Sequence, residues 1–479
     1  MPGYGPAADL CVTLDYPSQK VYTDKRGYFK LEGIPAGNAT LTFTGEGLKT
    51  TALTVSVSAD KVTAVNTPDY DAVLIPPGDD SPLKKEWLYI CYIASDNDLG
   101  SSPSYISRKV IKYMEKAGST AGMHAVAFID EEKTNTKMYY IRKDADLSSI
   151  SSPCFDYGRN EDSGDYRVFE KFAQQSLAYY PARHHIVDFW NHGSGPALKG
   201  SSGRKNIRRD ICLDYATFNF ISMPQLKESL LSIRTQLGKN IEILVISCCL
   251  MGGYETFYQI RDSVDYCVAS PPAVWGKNSL PFEPYAVFLE RISSNPYASS
   301  NAIAEGLAFD TFREHKIQFN IEHFAYTAVA LAKIGPVHEH FTVFARECNN
   351  ALTDSAYKKE LRALVQKPYT EGYSEQFTAD YNLRDLGLFA KSVSASTVLS
   401  ESLKDAASLV SSDLETGTQN FKFYAERYNP DDRFDWSKCC LVSIYLPADD
   451  KFEIPPSYST GLDTSATTDW NSFIHSLWK

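Results

Sequence analysis

Hydrophobic and polar residues alternate in short runs, separated by Gly and Pro, over the first part of the chain. The clearest runs are 39–43 and 53–57, and a further one lies at 28–31. Alternation with a period of two places every second side chain on one face, so each run predicts a half-buried β-strand. No segment with helical periodicity interrupts them. The pattern therefore predicts a small all-β sandwich over residues 1–74.

A polar, Pro-rich linker over residues 75–85 separates this pattern from a different one. From residue 86 onwards, strand-length hydrophobic runs alternate with segments of helical periodicity. The predicted strands are 87–94, 124–129, 185–190, 241–246, 264–269 and 441–446, and the predicted helices are 107–117, 166–179, 223–237 and 254–262. From about residue 300 to Lys438 the pattern is mostly helical. Strands that alternate with helices indicate an α/β fold over residues 86–479, with a mostly parallel sheet flanked by helices.

The composition and charge exclude several classes of protein. The chain has 479 residues, with 48 Lys and Arg against 59 Asp and Glu, so its formal net charge is −11. A hydrophobic content of 43% is ordinary for a globular protein and excludes collagen-like and wholly disordered chains. The acidic balance argues against a nucleic-acid partner, because such proteins concentrate Lys and Arg on one face. No hydrophobic run reaches the ~20 residues that a transmembrane helix needs, and the N-terminus lacks the basic and apolar regions of a signal peptide.

Two predicted strands end in residues that can carry chemistry. One runs into His192-Gly193, and the other runs into Cys248-Cys249 followed by Gly and a predicted helix. In an open parallel sheet, ligands bind beyond the carboxyl ends of the strands. Taken singly, a buried structural Cys and a hydrogen-bonded loop His are the commoner explanations. Together, at the ends of successive hydrophobic strands, they favour a nucleophile–base pair.

Several motifs around these residues resemble the clostripain family of caspase-like cysteine peptidases. The most specific are Trp-Asn-His-Gly-Ser-Gly at 190–195 and Cys-Leu-Met-Gly at 249–252, with Tyr-Cys-Val-Ala-Ser at 266–270 in support. Weaker matches lie at 92–99, 210–214 and 441–447. The resemblance covers roughly residues 86–479 and implies a caspase-like sheet. The N-terminal pattern over 24–37 resembles the carboxypeptidase-regulatory-like or transthyretin-like repeat of exported bacterial proteins.

The family resemblance implies a role for each residue of the pair. Cys249 is implied to attack the peptide carbonyl, and His192 to position and protonate the leaving amine. The backbone N–H groups of Gly193 and Cys249 are implied to stabilise the oxyanion. On sequence alone Cys248 competes for the role of nucleophile. Alternation along a strand turns Cys248 to the opposite side, and the following Leu-Met-Gly favours Cys249.

The specificity pocket departs from the family pattern. The family has an Asp two residues before the nucleophile, where this chain has Ser247, and a second acidic pocket position corresponds to Lys277. A pocket without these carboxylates predicts that the protein does not prefer Arg or Lys and instead takes an acidic or small polar residue. In the alternative, Lys277 points into solvent and the pocket is simply neutral.

The family resemblance implies maturation by cleavage in the loop after His-Gly. Residues 196–209 are rich in Gly and Ser and carry Lys199, Arg204, Lys205, Arg208 and Arg209. Such a loop is accessible to proteases. A partner with Arg/Lys specificity is expected to cut it, because self-cleavage conflicts with the predicted pocket.

No metal site is predicted from the histidines. His184-His185 precede a strand and are expected at the surface, and His338-x-His340 has no evident third ligand. Asp96, Asn97 and Asp98, after the first strand of the large domain, suit either a cation or the capping of their own loop, and capping is the commoner role. No cofactor is expected to be required. Calcium is left open, because some relatives use it.

The sequence thus predicts an extracytoplasmic cysteine endopeptidase that acts as a monomer on peptide or protein substrates. An alternative is a catalytically weak or inactive caspase-like protein that binds peptides or cell-surface material. In a third interpretation the N-terminal sandwich is the functional part and docks a glycan or partner, with the peptidase as its cargo.

Overall fold

The computed structural model describes most of the chain, and all structural statements below concern these residues. They are 9–24, 28–45, 50–63, 65, 84–101, 105–132, 134–196, 210–274, 284–318, 324–371, 382–428, 436–449, 454 and 456–479. Residues 75–83 of the predicted linker, Lys277 and the basic residues of the 196–209 loop lie outside them. Lys85, predicted as the last residue of the linker, instead begins the first strand of the large domain.

Fifteen strands are found in the described residues. They are β1 (Cys11–Leu14), β2 (Gln19–Tyr22), β3 (Gly37–Thr44), β4 (Thr51–Val57), β5 (Lys85–Ser95), β6 (Met123–Glu131), β7 (Asn135–Tyr140), β8 (Cys154–Arg159), β9 (Ala182–Trp190), β10 (Ile241–Ser247), β11 (Val264–Ala269), β12 (Phe324–Ala330), β13 (Leu383–Asp385), β14 (Lys422–Tyr428) and β15 (Ser443–Tyr445).

The helices of the described residues lie between the later strands and after them. They are α1 (Ile106–Ala117), α2 (Tyr166–Tyr179), α3 (Met223–Leu237), α4 (Tyr254–Ile260), α5 (Pro284–Ser294), α6 (Ser300–Gln318), α7 (Ile334–Ala351), α8 (Ser355–Glu371), α9 (Leu386–Ser394), α10 (Glu401–Asp413), α11 (Pro456–Gly461), α12 (Asp463–Thr467) and α13 (Trp470–Leu477).

The N-terminal strands form one antiparallel sheet in the order β2-β1-β3-β4. Val12 pairs with Phe43 and Leu14 with Leu41, so the inward positions of β1 and β3 build a small core. Residues 28–31 were predicted as a strand, and this was wrong, although Phe29 packs edge-on against Phe43. The second sheet that a sandwich needs is not found among the described N-terminal residues, so the sandwich remains a prediction.

The large domain is built on a nine-stranded sheet in the order β14-β12-β11-β10-β9-β5-β6-β7-β8. The five central strands, β11, β10, β9, β5 and β6, are mutually parallel, and an antiparallel pair extends each edge. Helices cover both faces. The predicted fold class, an α/β domain with a mostly parallel sheet flanked by helices, is confirmed.

The face of each strand residue follows from its parity along the strand. Tyr92 of β5 packs with Phe172 of α2 on one face of the sheet. Its neighbour Ile93 packs with Leu289 of α5 in the core on the other face. Because both faces are covered, the central strands read as continuous hydrophobic runs, which is why they were predicted from sequence.

Three strands, β12, β13 and β14, lie in the region that was predicted to be mostly helical. β12 is buried along its whole length, and β14 lies beside it at the edge of the large sheet. The prediction missed them because Phe324–Ala330 shows no alternation and the polar residues of Lys422–Tyr428 belong to a half-exposed edge. The late strand predicted at 441–446 exists as β15, and it pairs with β13 in a separate two-stranded sheet.

Glu255 links the helix after β10 to the C-terminal part of the chain. Its Oε1 atom accepts hydrogen bonds from the Tyr445 amide at 2.8 Å and from the Tyr458 hydroxyl at 3.0 Å. Glu255 is buried, and this burial raises its pKa from 4.5 to about 7 against the opposing effect of the two hydrogen bonds. In the folded protein the carboxyl group therefore holds its proton to a higher pH than in the unfolded chain.

We expect the stability of the protein to fall with pH relative to a Glu255→Gln variant. A folded-state pKa raised to about 7 favours folding below about pH 4.5, and this contribution is lost as the pH rises through 7. Thermal unfolding between pH 4.5 and 8 should show a relative loss of about 1–3 kcal/mol, because Gln keeps the acceptor oxygen and does not titrate. Glu401→Gln, at the exposed start of α10, is the control. Parallel curves for wild type and Glu255→Gln would contradict the expectation.

Candidate active site

His192 and Cys249 lie at the ends of adjacent parallel strands. Trp190, the last residue of β9, pairs with Ser247, the last residue of β10. Each candidate follows its paired residue by two positions, so the two residues leave the sheet at the same edge and at the same level. The sequence analysis predicted this juxtaposition from the two strand ends, and the register of the sheet produces it.

The two adjacent cysteines have different environments. Cys248 is 1% exposed and packs in the core, with its Sγ atom 3.5 Å from the Phe189 carbonyl oxygen. Cys249 is partly exposed, and its sulfur lies against Val274, the residue before an undescribed stretch. Of the two residues, Cys249 is the more exposed, although its thiol is itself enclosed.

Backbone N–H groups surround the sulfur of Cys249. The Val274 amide donates to Sγ at 3.2 Å, and the amides of Gly193 and of Cys249 itself also act on the thiol. Burial raises the pKa of the thiol, and these three amides oppose the rise. The thiol is therefore protonated at neutral pH, in a setting where backbone donors are already directed toward any negative charge that forms.

A glycine is required at position 193 by close packing. A Cβ atom there would lie 2.4 Å from the Cys249 carbonyl oxygen and 2.8 Å from the Cys248 Cβ atom. At these distances a side chain at position 193 would collide with backbone atoms that cannot move aside. Only glycine therefore lets the loop after β9 approach the turn after β10.

The turn after Cys249 is held in an unusual conformation. Leu250 has a φ of 63°, which a residue with a branched side chain rarely adopts. Its amide donates to the Pro272 carbonyl at 3.0 Å, and the Gly252 amide donates to the Ser270 carbonyl at 2.8 Å. These hydrogen bonds to the segment after β11 hold the turn in this conformation and orient Cys249.

His192 is held by an acidic residue from the end of β5. Its Nε2 atom lies 3.0 Å from Asp98 Oδ1, which also accepts a hydrogen bond from the Tyr215 hydroxyl at 3.0 Å. The hydrogen bond with His192 is the largest cause that lowers the pKa of Asp98, from 3.8 to about 2. The carboxylate thus fixes the ring through Nε2 and leaves Nδ1 as the nitrogen for chemistry.

The sequence analysis did not assign Asp98 to His192. It considered a cation or loop capping for Asp96, Asn97 and Asp98. Capping describes Asn97, whose Oδ1 accepts from the Leu99 amide at 2.9 Å. The only sequence signal for Asp98 was its position shortly after β5. The pairing of β5 with β9, which brings Asp98 to His192, is not visible in the sequence.

Asparagines join the three loops of the site. The Asn191 side-chain amide donates to the Ala94 carbonyl, and Asn191 Oδ1 accepts from the His192 amide. The Asn97 side-chain amide donates to the Leu213 carbonyl at 2.9 Å. These hydrogen bonds therefore connect the loop after β5 to the loop after β9 and to the 210–214 segment.

A buried acid lies beside Ser247 on the neighbouring strand. Asp188 of β9 is fully buried and accepts a hydrogen bond from the Tyr89 hydroxyl at 2.6 Å. Burial raises its pKa from 3.8 to about 6, while Tyr89 and Ser247 act in the opposite direction. The sequence analysis missed Asp188, because a single Asp in a hydrophobic run indicates neither its depth nor its neighbour. Of the two predicted pocket residues only Ser247 is described.

The four histidines that were considered as metal ligands have protein partners, and His185 is buried, so its predicted place at the surface was wrong. His184 Nδ1 and the His185 amide contact Glu242, at 3.2 and 2.8 Å. His338 Nδ1 lies 2.7 Å from the Tyr254 hydroxyl. His340 Nδ1 lies 2.7 Å from Asp413.

In the described part of the chain, no helix is long and apolar enough to cross a membrane.

The large domain is similar to known proteins. The sequence model described as the clostripain family matches residues 91–478, which is most of the chain. No curated protein matches the chain.

Two crystal structures are similar to this fold. One is a secreted C11 cysteine protease from Bacteroides thetaiotaomicron in complex with an irreversible peptide inhibitor. It has a TM-score of 0.54 and 17% identity, over 81% of this chain and 99% of that chain. The other is an inactive zymogen C11 protease from Parabacteroides distasonis, with a TM-score of 0.54 and 16% identity, over 83% of this chain and 99% of that chain. At such identities the structural likeness shows the fold.

Proposed function

The chain belongs to the clostripain family of cysteine peptidases, and we propose that Cys249 and His192 are the dyad with which it hydrolyses peptide bonds. The observation that carries this proposal is the convergence of the Val274, Gly193 and Cys249 amides on the Cys249 sulfur. The place of His192 at the end of the adjacent strand adds to it. Cys248 is excluded from the role because it lies in the core.

The proposed reaction proceeds through an acyl-enzyme. The Cys249 sulfur bonds to the scissile carbonyl carbon and its proton passes through His192 to the leaving amine as the C–N bond breaks. The oxyanion that forms is stabilised by backbone amides near Gly193 and Cys249. A water molecule then attacks the thioester, its proton passes to His192, and the thiol is restored as the peptide acid leaves.

In this proposal Asp98 is a positioning residue. It contacts His192 through Nε2 and does not contact the substrate. Holding the ring by that atom keeps Nδ1 directed to the leaving group, which favours the reacting geometry without adding substrate affinity.

The proposed specificity excludes Arg and Lys as preferred substrate residues. Ser247 supplies no charge at the position where the resemblance implies an Asp. The Asp188 carboxyl group beside Ser247 is fully buried. A substrate cation would have to lose its hydration to reach it, which is costly for a buried charge. The contribution of Lys277 remains a prediction.

We also propose that the protein acts outside the cytoplasm. Its N-terminal motif resembles a repeat of exported proteins, and one similar structure is of a protease described as secreted. The monomeric state, the cleavage of the 196–209 loop and a docking role for the N-terminal sheet remain predictions of the sequence.

Replacing each cysteine in turn tests the nucleophile. Cys249→Ala should abolish both peptide turnover and labelling by a thiol-reactive peptide probe. Cys248→Ala should retain both and lower stability by about 1 kcal/mol, because it leaves a small cavity in the core. Labelling that persists in Cys249→Ala and disappears in Cys248→Ala would reverse the assignment. An unlabelled, inactive wild type would favour the peptide-binding alternative.

The proposed role of Asp98 predicts that its replacement lowers kcat and leaves KM nearly unchanged. Asp98→Asn should lower kcat about tenfold and leave KM within about twofold, because the ring loses its orientation and the substrate loses no contact. The melting temperature should barely change, since exposed pairs contribute little. Asp262→Asn, which removes a surface charge beside Arg261, is the control. A rise in KM at constant kcat would contradict a positioning role.

Paired peptide substrates test the specificity. Peptides that differ only in Arg, Asp or Ala before the reporter should be cleaved by the wild type with no preference for Arg. Ser247→Asp should raise kcat/KM for the Arg peptide relative to the Ala peptide by about tenfold, because it adds a carboxylate at the pocket. A strong Arg preference in the wild type would overturn the proposal while leaving the dyad intact.

A further inference from the structure

A cleft that the proposed mechanism does not use lies beside β6, between α1 and the hairpin of β6 and β7. Its volume is about 330 Å³, which is within the range of ligand-binding pockets. The charged and hydroxyl-bearing residues of its lining come from α1, β6, β7 and the loop before β8, and they include Arg108, Lys112, Glu131, Lys137, Tyr139 and Ser149.

Positive charge exceeds negative charge in this cleft. Among the described residues of the lining, the cations Arg108, Lys112 and Lys137 oppose the single carboxylate of Glu131. Arg108 and Lys112 are four residues apart, so both lie on the same face of α1. The whole chain has a net charge of −11, so the cleft differs in sign from the average surface. Such an excess in a concave site attracts anions.

The carboxylate of the lining is already neutralised. The Arg108 guanidinium donates from Nε to both carboxylate oxygens of Glu131, at 3.0 and 2.8 Å, and the Ser107 hydroxyl donates to Oε1 at 2.7 Å. The Glu131 side chain is only 6% exposed. The excess positive charge of the cleft therefore belongs to the two lysines.

These lysines keep protons for a ligand. Lys137 forms no hydrogen bond or ion pair with any side chain that the structure describes. Lys112 donates to the Ser148 carbonyl oxygen at 3.1 Å, which uses one of the three protons of its ammonium group. Asp146 also acts on Lys112, but this carboxylate is exposed and accepts from the Ser148 amide and hydroxyl at 2.8 and 2.7 Å. Solvent screens such an exposed charge.

The register of the sheet places the cleft near the proposed dyad. Ile129 of β6 pairs with Ile93 of β5, which pairs on its other side with Trp190 of β9. All three side chains belong to the core on one face of the sheet. Glu131 and His192 each come two residues later, so they lie at the same level, two strand spacings or about 10 Å apart.

The cleft lies on the leaving-group side of the dyad. Along this edge of the sheet the order is Cys249, His192, Asp98 and the cleft, because β10, β9, β5 and β6 are consecutive neighbours. His192 is proposed to protonate the leaving amine, so the part of the substrate after the scissile bond lies on its side of Cys249. An extended chain advances about 3.3 Å per residue, which brings the cleft within about three to five residues of the scissile bond.

We propose that this cleft binds an acidic segment of the substrate, about three to five residues after the bond that is cleaved. The Asp or Glu carboxylates of that segment pair with Lys112 and Lys137, and the Tyr139 and Ser149 hydroxyls are further donors. The inference rests on the proposed function, because the direction of the substrate follows from the role of His192. It concerns a second recognition site and is independent of the specificity pocket.

Binding to the inactive full chain tests the cleft apart from catalysis. A dye-labelled peptide with Glu at about positions three to five is titrated into Cys249→Ala and followed by fluorescence anisotropy. It should bind at least about fivefold more tightly at low salt than the same peptide with Gln. The difference should vanish at about 1 M salt, where charges are screened beyond about 3 Å. Equal affinities at low salt would overturn the proposal, whether or not Cys249 is the nucleophile.

A matched pair of variants locates the binding. Lys112→Ala with Lys137→Ala should weaken binding of the Glu peptide by about fivefold to tenfold, because two exposed ion pairs are lost. Lys358→Ala with Lys359→Ala removes the same charge from α8 and should leave the affinity unchanged. An equal loss in both double variants would show that only net charge matters and would contradict a site in the cleft.

Kinetics of the active chain test the direction of the substrate. With these residues placed after the scissile bond, kcat/KM should be about fivefold higher for the Glu substrate than for the Gln substrate at low salt. The preference should disappear when Lys112 and Lys137 are replaced. Binding without this preference would refute the assignment to the segment after the scissile bond. If the wild type cleaves neither substrate, the proposed function fails and the binding measurement still decides the cleft.

Discussion

The lateral register of three parallel strands determines the geometry of the proposed site. Ile93 of β5, Trp190 of β9 and Ser247 of β10 lie side by side across the sheet. Strands in a sheet are about 4.8 Å apart, so whatever follows these residues is brought together at one edge. His192 and Cys249 each come two residues later, and Asp98 comes five residues after Ile93. A shift of one residue in either pairing would turn the side chains to opposite faces.

The C-terminal part of the chain contacts the turn and the helix that follow β10. The Ser443 amide donates to the Gly252 carbonyl at 3.0 Å, and Glu255 accepts from the Tyr445 amide. The turn that presents Cys249 is therefore held between the segment after β11 and strand β15. These contacts join residues about 190 positions apart, so the reactive turn depends on the folding of the whole large domain. The positive φ of Leu250 is maintained by these surroundings.

Acidic groups are arranged differently on the two sides of this site. Asp98 is exposed and pairs with His192, where a full negative charge is useful. Asp188 is buried beside Ser247, and burial raises its pKa to about 6. Asp96, Asp130 and Asp214 are concentrated in one closed cluster. The net charge of −11 says nothing of this distribution, which follows from burial and from the neighbours of each group.

The sequence by itself determined the central strands, the helices between them and the two strand ends that carry His192 and Cys249, because hydrophobic periodicity and Gly-rich strand ends are local signals. Parity along the strand separates Cys248 from Cys249, and the resemblance of the following Leu-Met-Gly favours Cys249. The sequence did not reveal the antiparallel edge strands β7, β8, β12 and β14, or the contacts of Asp98 with His192 and of Asp188 with Ser247. Those depend on which strands are neighbours and in what register, and residues nearly a hundred positions apart along the chain become neighbours only when the sheet is assembled.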